Sequence, residues 1–204
     1  YTHIFLLNIV LFLMGFRFVM DKKEPVKVLD KRDIKVFELE HSANHNEFKV
    51  IYYVNTEPES FRRQIVNPEN FKRWVSSIKS ADNFRSFNDT VQYTHVVVSV
   101  RSIFKKEAII KTMHETSKER QKITVIQKID TTINFNYQHD LLSVFKIKWD
   151  IEALENGKTR VEMNFKGEKK EYPYLIERLL REIFINKLYK IARKSKKQAA
   201  KTVI

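Results

Sequence analysis

Cysteine is absent from this 204-residue chain, which excludes disulfides, cysteine-bound zinc, iron–sulfur ligation and thiol nucleophiles. Glycine is scarce. Gly15, Gly157 and Gly167 are the only three, too far apart for a phosphate-cradling loop, which needs two or three glycines within about eight residues. P-loop and dinucleotide folds are thereby excluded. Acidic residues are also in deficit: 25 Asp and Glu stand against 38 Lys and Arg, a formal charge of +13. A hydrophobic fraction of 43% rules out disorder, and the length fits one domain with a short extension.

What is present begins with an uncharged run, residues 1–16, whose apolar character continues past Arg17 to Met20. It reads as a helix. At about 1.5 Å per residue, twenty residues reach roughly 30 Å, enough to span hydrocarbon if Arg17 snorkels to one interface. A membrane or interfacial anchor, a helix buried on a protein partner and a targeting remnant all remain open. In the first two, Phe5, Leu6, Leu11, Phe12 and Arg17 make the contact. The chain starts without Met, as a processed or truncated product would. Residues 21–46 are polar and charged, with Pro25 and Ser42–Asn46 as breakers, and read as a linker with one short strand at Val36–Leu39.

The globular domain is expected over 47–197, with 198–204 as a tail. Phe48, Val50, Tyr52 and Val54 alternate with Lys49, Ile51, Tyr53 and Asn55, a strand signature. Thr56 and Pro58 then start a helix that ends at Asn67-Pro68. Phe71, Trp74, Val75 and Ile78 form one stripe of a second helix over 69–79. Strands are expected at His95–Phe104, Lys105–His114, Gln121–Ile129 and Leu142–Leu154. Asn156-Gly157 is a type I′ hairpin signal leading to Thr159–Lys166. Pro173 opens a long helix whose Leu175, Ile176, Leu179, Leu180, Ile183, Phe184, Leu188 and Ile191 cover a broad arc, as in a helix lying deep against a sheet. Beyond Ile183 come Lys187, Lys190, Arg193, Lys194, Lys196, Lys197 and Lys201 with no acid.

The order of strand, two short helices, antiparallel strands and one long C-terminal helix is that of an α+β helix-grip (START-like) fold, a curved sheet wrapped around that helix. Three stretches sharpen it: Tyr53-Val54-Asn55-Thr56-Glu57-Pro58, Asn70-Phe71-Lys72-Arg73-Trp74-Val75, and the run from His139 to Trp149. In these the chain resembles the mitochondrial coenzyme Q-binding START-domain proteins. It departs from them at Ser76 and Ile78, where the family has Pro and Cys, and at Glu168 and Lys169, where the family has an aromatic. The resemblance implies binding and delivery or chaperoning of ubiquinone for the respiratory chain, without catalysis, on the matrix side of the mitochondrial inner membrane. The alternative is an accessory structural subunit of a large inner-membrane respiratory complex that keeps the fold.

Alternation and helical spacing predict an elongated apolar cavity between sheet and helix. Its lining is expected among Val98, Val100, Ile110, Val125, Phe145, Ile147, Trp149 and Phe165 on strands, with Trp74, Leu179 and Ile183 on helices. Trp74 and Trp149 serve equally well as plain core. No metal site is expected, because His41 and His45 lie in a polar loop with no third ligand beside them. No carboxylate pair is forced together either, so no catalytic residue is assigned. The basic tail, Lys194, Lys196 and Lys197 above all, suits anionic lipid or an acidic subunit. Its lack of interleaved aromatics beyond Tyr189 argues against nucleic acid.

Overall fold

A computed structural model describes residues 25–39, 45–88, 90–100, 104–117, 121–142, 145–168 and 173–201. Strands dominate it in the order β1 (Val26–Lys31), β2 (Ile34–Glu38), β3 (His45–Val54), β4 (Ile78–Asn88), β5 (Val91–Val100), β6 (Phe104–Ser117), β7 (Lys122–Ile129), β8 (Asp140–Leu141), β9 (Phe145–Ala153) and β10 (Thr159–Glu168). Helices α1 (Pro58–Val66) and α2 (Pro68–Trp74) interrupt between β3 and β4, and α3 (Tyr174–Lys201) closes the chain. All strands join one sheet in the spatial order β1-β2-β3-β10-β9-β7-β6-β5-β4, with β8 parallel to β6 and every other pairing antiparallel.

Register follows from alternation, because a slip of one residue would turn each apolar set to the wrong face. Met163 on β10 sits between Val50 on β3 and Trp149 on β9, and Val161 sits between Tyr52 and Ile151. All six are buried. The turn into β10 is a three-residue loop rather than the expected type I′: Leu154 N–H bonds Lys158 C=O, and Gly157 alone takes a left-handed φ, +74°. Asn156 instead accepts the Lys158 N–H.

Two segments differ from expectation. The stretch read as a linker contains the β1–β2 hairpin, and its Ile34 and Val36 are core residues. Arg32 and Asp33 both adopt left-handed φ values of 55° and 59°, a turn usually signalled by Asn-Gly, so sequence gave no hint of it. The helix expected over 69–79 stops at Trp74, and Ile78 opens β4 instead. Asn67 caps that helix by accepting the Glu69 N–H.

Coverage of the sheet is uneven. Helix α3 packs chiefly on β2, β3 and α2, and α1 on β7 and β9. The buried side chains accordingly form two clusters. The larger joins β2, β3, β7, β9, β10, α1, α3 and Trp74 of α2, and the smaller gathers Phe71, Ala81, Val96, Ala108 and Ile110.

Candidate functional site

Between these clusters lies a cavity of about 540 Å³, within the range of small-molecule sites. Its existence follows from the coverage: α3 crosses toward α2 instead of lying along β4–β6, and large side chains hold the gap open. Phe71 and Trp74 come from α2, Val96 and Val98 from β5, Ile110 from β6, and Phe145, Ile147 and Trp149 from β9. From β10 come Met163 and Phe165, and α3 roofs the space with Phe184, Leu188 and Ile191.

Polar links fix the roof. Tyr52 and Ser195, both buried, are 2.8 Å apart across β3 and α3. Trp74 Nε1 donates to Gln198 Oε1 at 2.9 Å, and Gln198 Nε2 donates to Asn70 Oδ1 at 2.6 Å. At the other end of α3, Arg181 bonds both carboxylate oxygens of Glu38. That pairing raises the pKa of Arg181 further. Ala192, Ser195 and Ala199 let the second half of the helix approach the sheet closely, and all three are fully buried. In the floor, Trp149 Nε1 donates to Gln127 Oε1 at 2.9 Å while Gln127 Nε2 faces Ile65 C=O at 3.4 Å. The two tryptophans sit with ring centroids 6.4 Å apart, so each is both core and wall.

Of the residues read from sequence, Trp74, Val98, Ile110, Phe145, Ile147, Trp149 and Phe165 line the cavity. Val100 has a side chain outside the described residues. Val125 does not reach the cavity: it is fully buried in the larger cluster with Phe61 and Ile65, because α1 covers that part of the sheet. Leu179 and Ile183 do not reach it either. They face solvent, 58% and 43% exposed, because the buried face of α3 runs through Ile185, Leu188, Ala192, Ser195 and Ala199, and at 100° per residue Leu179 and Ile183 fall on the opposite side. Sequence reading missed Phe71, Val96, Met163, Phe184, Leu188 and Ile191, whose stripe or alternation was visible, and Ser76, Ser77 and Ser99, which carry no pattern.

The mouth has a different chemistry. The most exposed lining residues are Ser76, Lys187 and Lys190, with Ser77, Ser99 and Lys194 partly exposed beside them. Among the described residues no acid lines the cavity. Lys196, expected on an outward contact, turns instead toward Asp33 at 3.8 Å, whereas Lys197 is exposed. Residues Phe5, Leu6, Leu11, Phe12, Arg17 and His41, and the His45 side chain, lie outside the described residues. Among the described residues no helix is long and apolar enough to cross a membrane, and no group of His and carboxylates is disposed to hold a metal.

A second recess, about 320 Å³, lies on the other face of the sheet. There the buried Glu107 carboxylate is approached by His95 at 3.3 Å and His139 at 3.6 Å. This contact ties the segment after β7 to the sheet.

No family model matches the sequence, and no curated protein matches it. Solved structures do. The STAR-related lipid transfer protein of Xanthomonas axonopodis superposes with a TM-score of 0.72 at 12% identity, covering 86% of this chain and 98% of that one. The lipid transfer and protein localization domain of human StarD13 gives 0.67 at 11% identity, covering 84% and 89%. Human StAR-related lipid transfer protein 5 gives 0.65 at 13% identity, covering 94% of each chain. The helix-grip fold expected from the sequence is thus the fold observed, and at such identities the likeness concerns fold alone.

Proposed function

We propose that this domain is a non-catalytic lipid carrier that holds its cargo in the cavity beneath α3 and exchanges it at an anionic membrane surface. The observation that carries this reading is the cavity itself: aromatic and aliphatic walls, a roof fixed by buried hydrogen bonds, and a polar mouth. Apolar area of this kind rewards a hydrophobic guest by about 25 cal/mol per Å² removed from water. The membrane part rests on α3. Leu175, Leu179 and Ile183 are exposed on its first half, and Lys190, Lys197 and the half-buried Lys194 continue the same face on its second. An apolar stripe beside lysines suits an interface between acyl chains and anionic headgroups.

The narrower version is the one the family resemblance implies: ubiquinone as cargo and the mitochondrial inner membrane as setting, free or within a respiratory assembly. A space of 540 Å³ accommodates a quinone ring with a short isoprenoid tail whole, and a long tail only in part. The test is transfer of a fluorescent lipid between donor and acceptor vesicles. Transfer should need anionic lipid, and should fall both with Leu179→Asp and Ile183→Asp together and with Val98→Trp, whose ring intrudes into the cavity from β5. A folded Val98→Trp protein that transfers as well as the parent would sink the carrier reading.

A further inference from the structure

The mouth of the cavity specifies more than a lipid. Lys187, Lys190 and Lys194 follow one another at intervals of three and four on α3, so their side chains emerge on one face and all three border the same opening. None has an acidic partner among the described residues, although surface lysines elsewhere pair with carboxylates, as Lys72 does with Glu69 and Lys166 with Glu47. Three like charges border an opening lined by no acid among the described residues, and an anion placed there would relieve their mutual repulsion. Ser76, Ser77 and Ser99 add hydroxyl donors at the same rim.

The interior points the same way. Its buried polar side chain is Gln127, and the amide is engaged at both ends, by Trp149 and by Ile65 C=O. Polar recognition is therefore concentrated at the rim, which suits a guest with one polar end and an apolar body. Size then limits the body: at roughly 30 Å³ per small group, the liquid-water share used as a yardstick, 540 Å³ takes about eighteen non-hydrogen atoms. That is one acyl chain with its terminal group. Two chains, or a long polyisoprenoid, would extend beyond it.

We infer that the cavity selects a single-chain amphiphile with an anionic head, a fatty acid or a lysophospholipid phosphate, its chain between Trp74, Trp149 and Phe165 and its anion held by Lys187, Lys190 and Lys194. This rests on the carrier reading above and gives it a ligand class. The lysines act as point charges at the end of flexible stems, so carboxylate and phosphate are both accepted.

The test measures binding of palmitate, hexadecanol, palmitoyl lysophosphatidic acid and a short-tailed ubiquinone to the full chain by native mass spectrometry and by calorimetry. Three proteins are compared: the parent, the Lys187→Gln, Lys190→Gln, Lys194→Gln triple variant, and Val98→Trp. The parent should bind both anions at least about tenfold more tightly than the alcohol or the quinone. Whichever anion is tighter identifies the source of the head. The triple variant should bring the anions down to the level of the alcohol and leave the alcohol unchanged, and Val98→Trp should weaken binding of all four. Equal affinity for palmitate and hexadecanol, or an unchanged preference in the triple variant, overturns the anion assignment while leaving the carrier reading intact. Undiminished palmitate binding to Val98→Trp marks adsorption on the outer lysines and overturns it too. A folded parent that binds none of the four refutes the carrier reading along with it.

Discussion

Replacing Ser195 by Ala probes the roof of the cavity at a single oxygen. Ser195 Oγ donates to Ala192 C=O at 3.0 Å, so its proton is spent and the Tyr52 hydroxyl, 2.8 Å away, must be the donor between the two. Burial pushes the Tyr52 pKa far up, against the smaller lowering by Ser195, so the hydroxyl stays neutral at any working pH. Ser195→Ala leaves that O–H without an acceptor where neither residue is exposed. A stranded buried donor costs about 1–3 kcal/mol. Better helix propensity returns roughly 0.5 kcal/mol, for a net loss of about 1–2 kcal/mol. Tyr52→Phe is milder, about 1 kcal/mol, because Ser195 keeps its bond to Ala192. The double variant strands nothing, so its loss should fall short of the summed singles by about 1 kcal/mol. Urea unfolding at constant m-value reads all three, and thermal unfolding shows about 2–4 °C per kcal/mol for a chain of this size. Additivity to within about 0.3–0.5 kcal/mol would refute the pairing and with it this account of how α3 is fixed.

Three other outcomes are expected. Burial alone would raise the pKa of Asp150, but bonds from Lys148, Thr124 and Lys122 outweigh it and hold the carboxyl below its ordinary 3.8. Its stabilisation is therefore complete above the unfolded-state value, about 3.9, and is lost as pH falls through the lowered folded one. Asp150→Asn should be less stable than the parent at neutral pH, with the gap closing in acid; a gap constant with pH in denaturant titrations contradicts this. Ala192→Leu, at a fully buried site, should overpack the contact of α3 with the sheet and cost about 1–3 kcal/mol. Leu179→Gln on the outer face should stay within about 0.5 kcal/mol, and calorimetry showing the reverse order would mean the helix is rotated. Gly157→Ala meets no atom within 4 Å, so its loss should be only the left-handed backbone cost of about 1–2 kcal/mol, with Gly157→Asn losing less; an unchanged melting temperature for the Ala variant tells against the turn.

Alternation made the centre of the sheet legible: Phe48, Val50, Tyr52 and Val54, then Phe145, Ile147, Trp149 and Ile151, stand where period two puts them. In the β1–β2 hairpin the short strand expected at Val36–Leu39 overlaps β2, whereas β1 and the turn were hidden because Arg32 and Asp33 make that turn without glycine. Strand β4 was hidden because Asp82, Asn83, Arg85 and Ser86 interrupt any apolar alternation, and among its described side chains only Ala81 is buried. It is an edge strand, and polar side chains there discourage pairing with another chain. The cavity wall was half legible, for an inward strand residue looks the same in sequence whether it meets another side chain or open space. Val125 and Trp149 are cross-strand neighbours, yet α1 covers the first and not the second. That distinction is tertiary.

The reading of α3 as a deeply buried helix failed for an instructive reason. Its apolar arc is broad because two stripes overlap in sequence and separate in space. One, through Ile185, Leu188, Tyr189 and Ala192, is buried against the sheet; the other, through Leu175, Leu179 and Ile183, faces solvent. Phe184 and Ile191 lie between and look into the cavity. A helix serving one environment concentrates its apolar residues on one side, whereas one serving three distributes them and loses the amphipathic signal that would have revealed its orientation. The lysines resolve the ambiguity. They continue the outward stripe where the apolar residues stop, and Lys187, Lys190 and Lys194 also stand at the rim of the cavity. Roof, rim and outer face are thus consecutive sectors of one 28-residue helix, so any guest that enters between α3 and β5 passes the cations that distinguish its head.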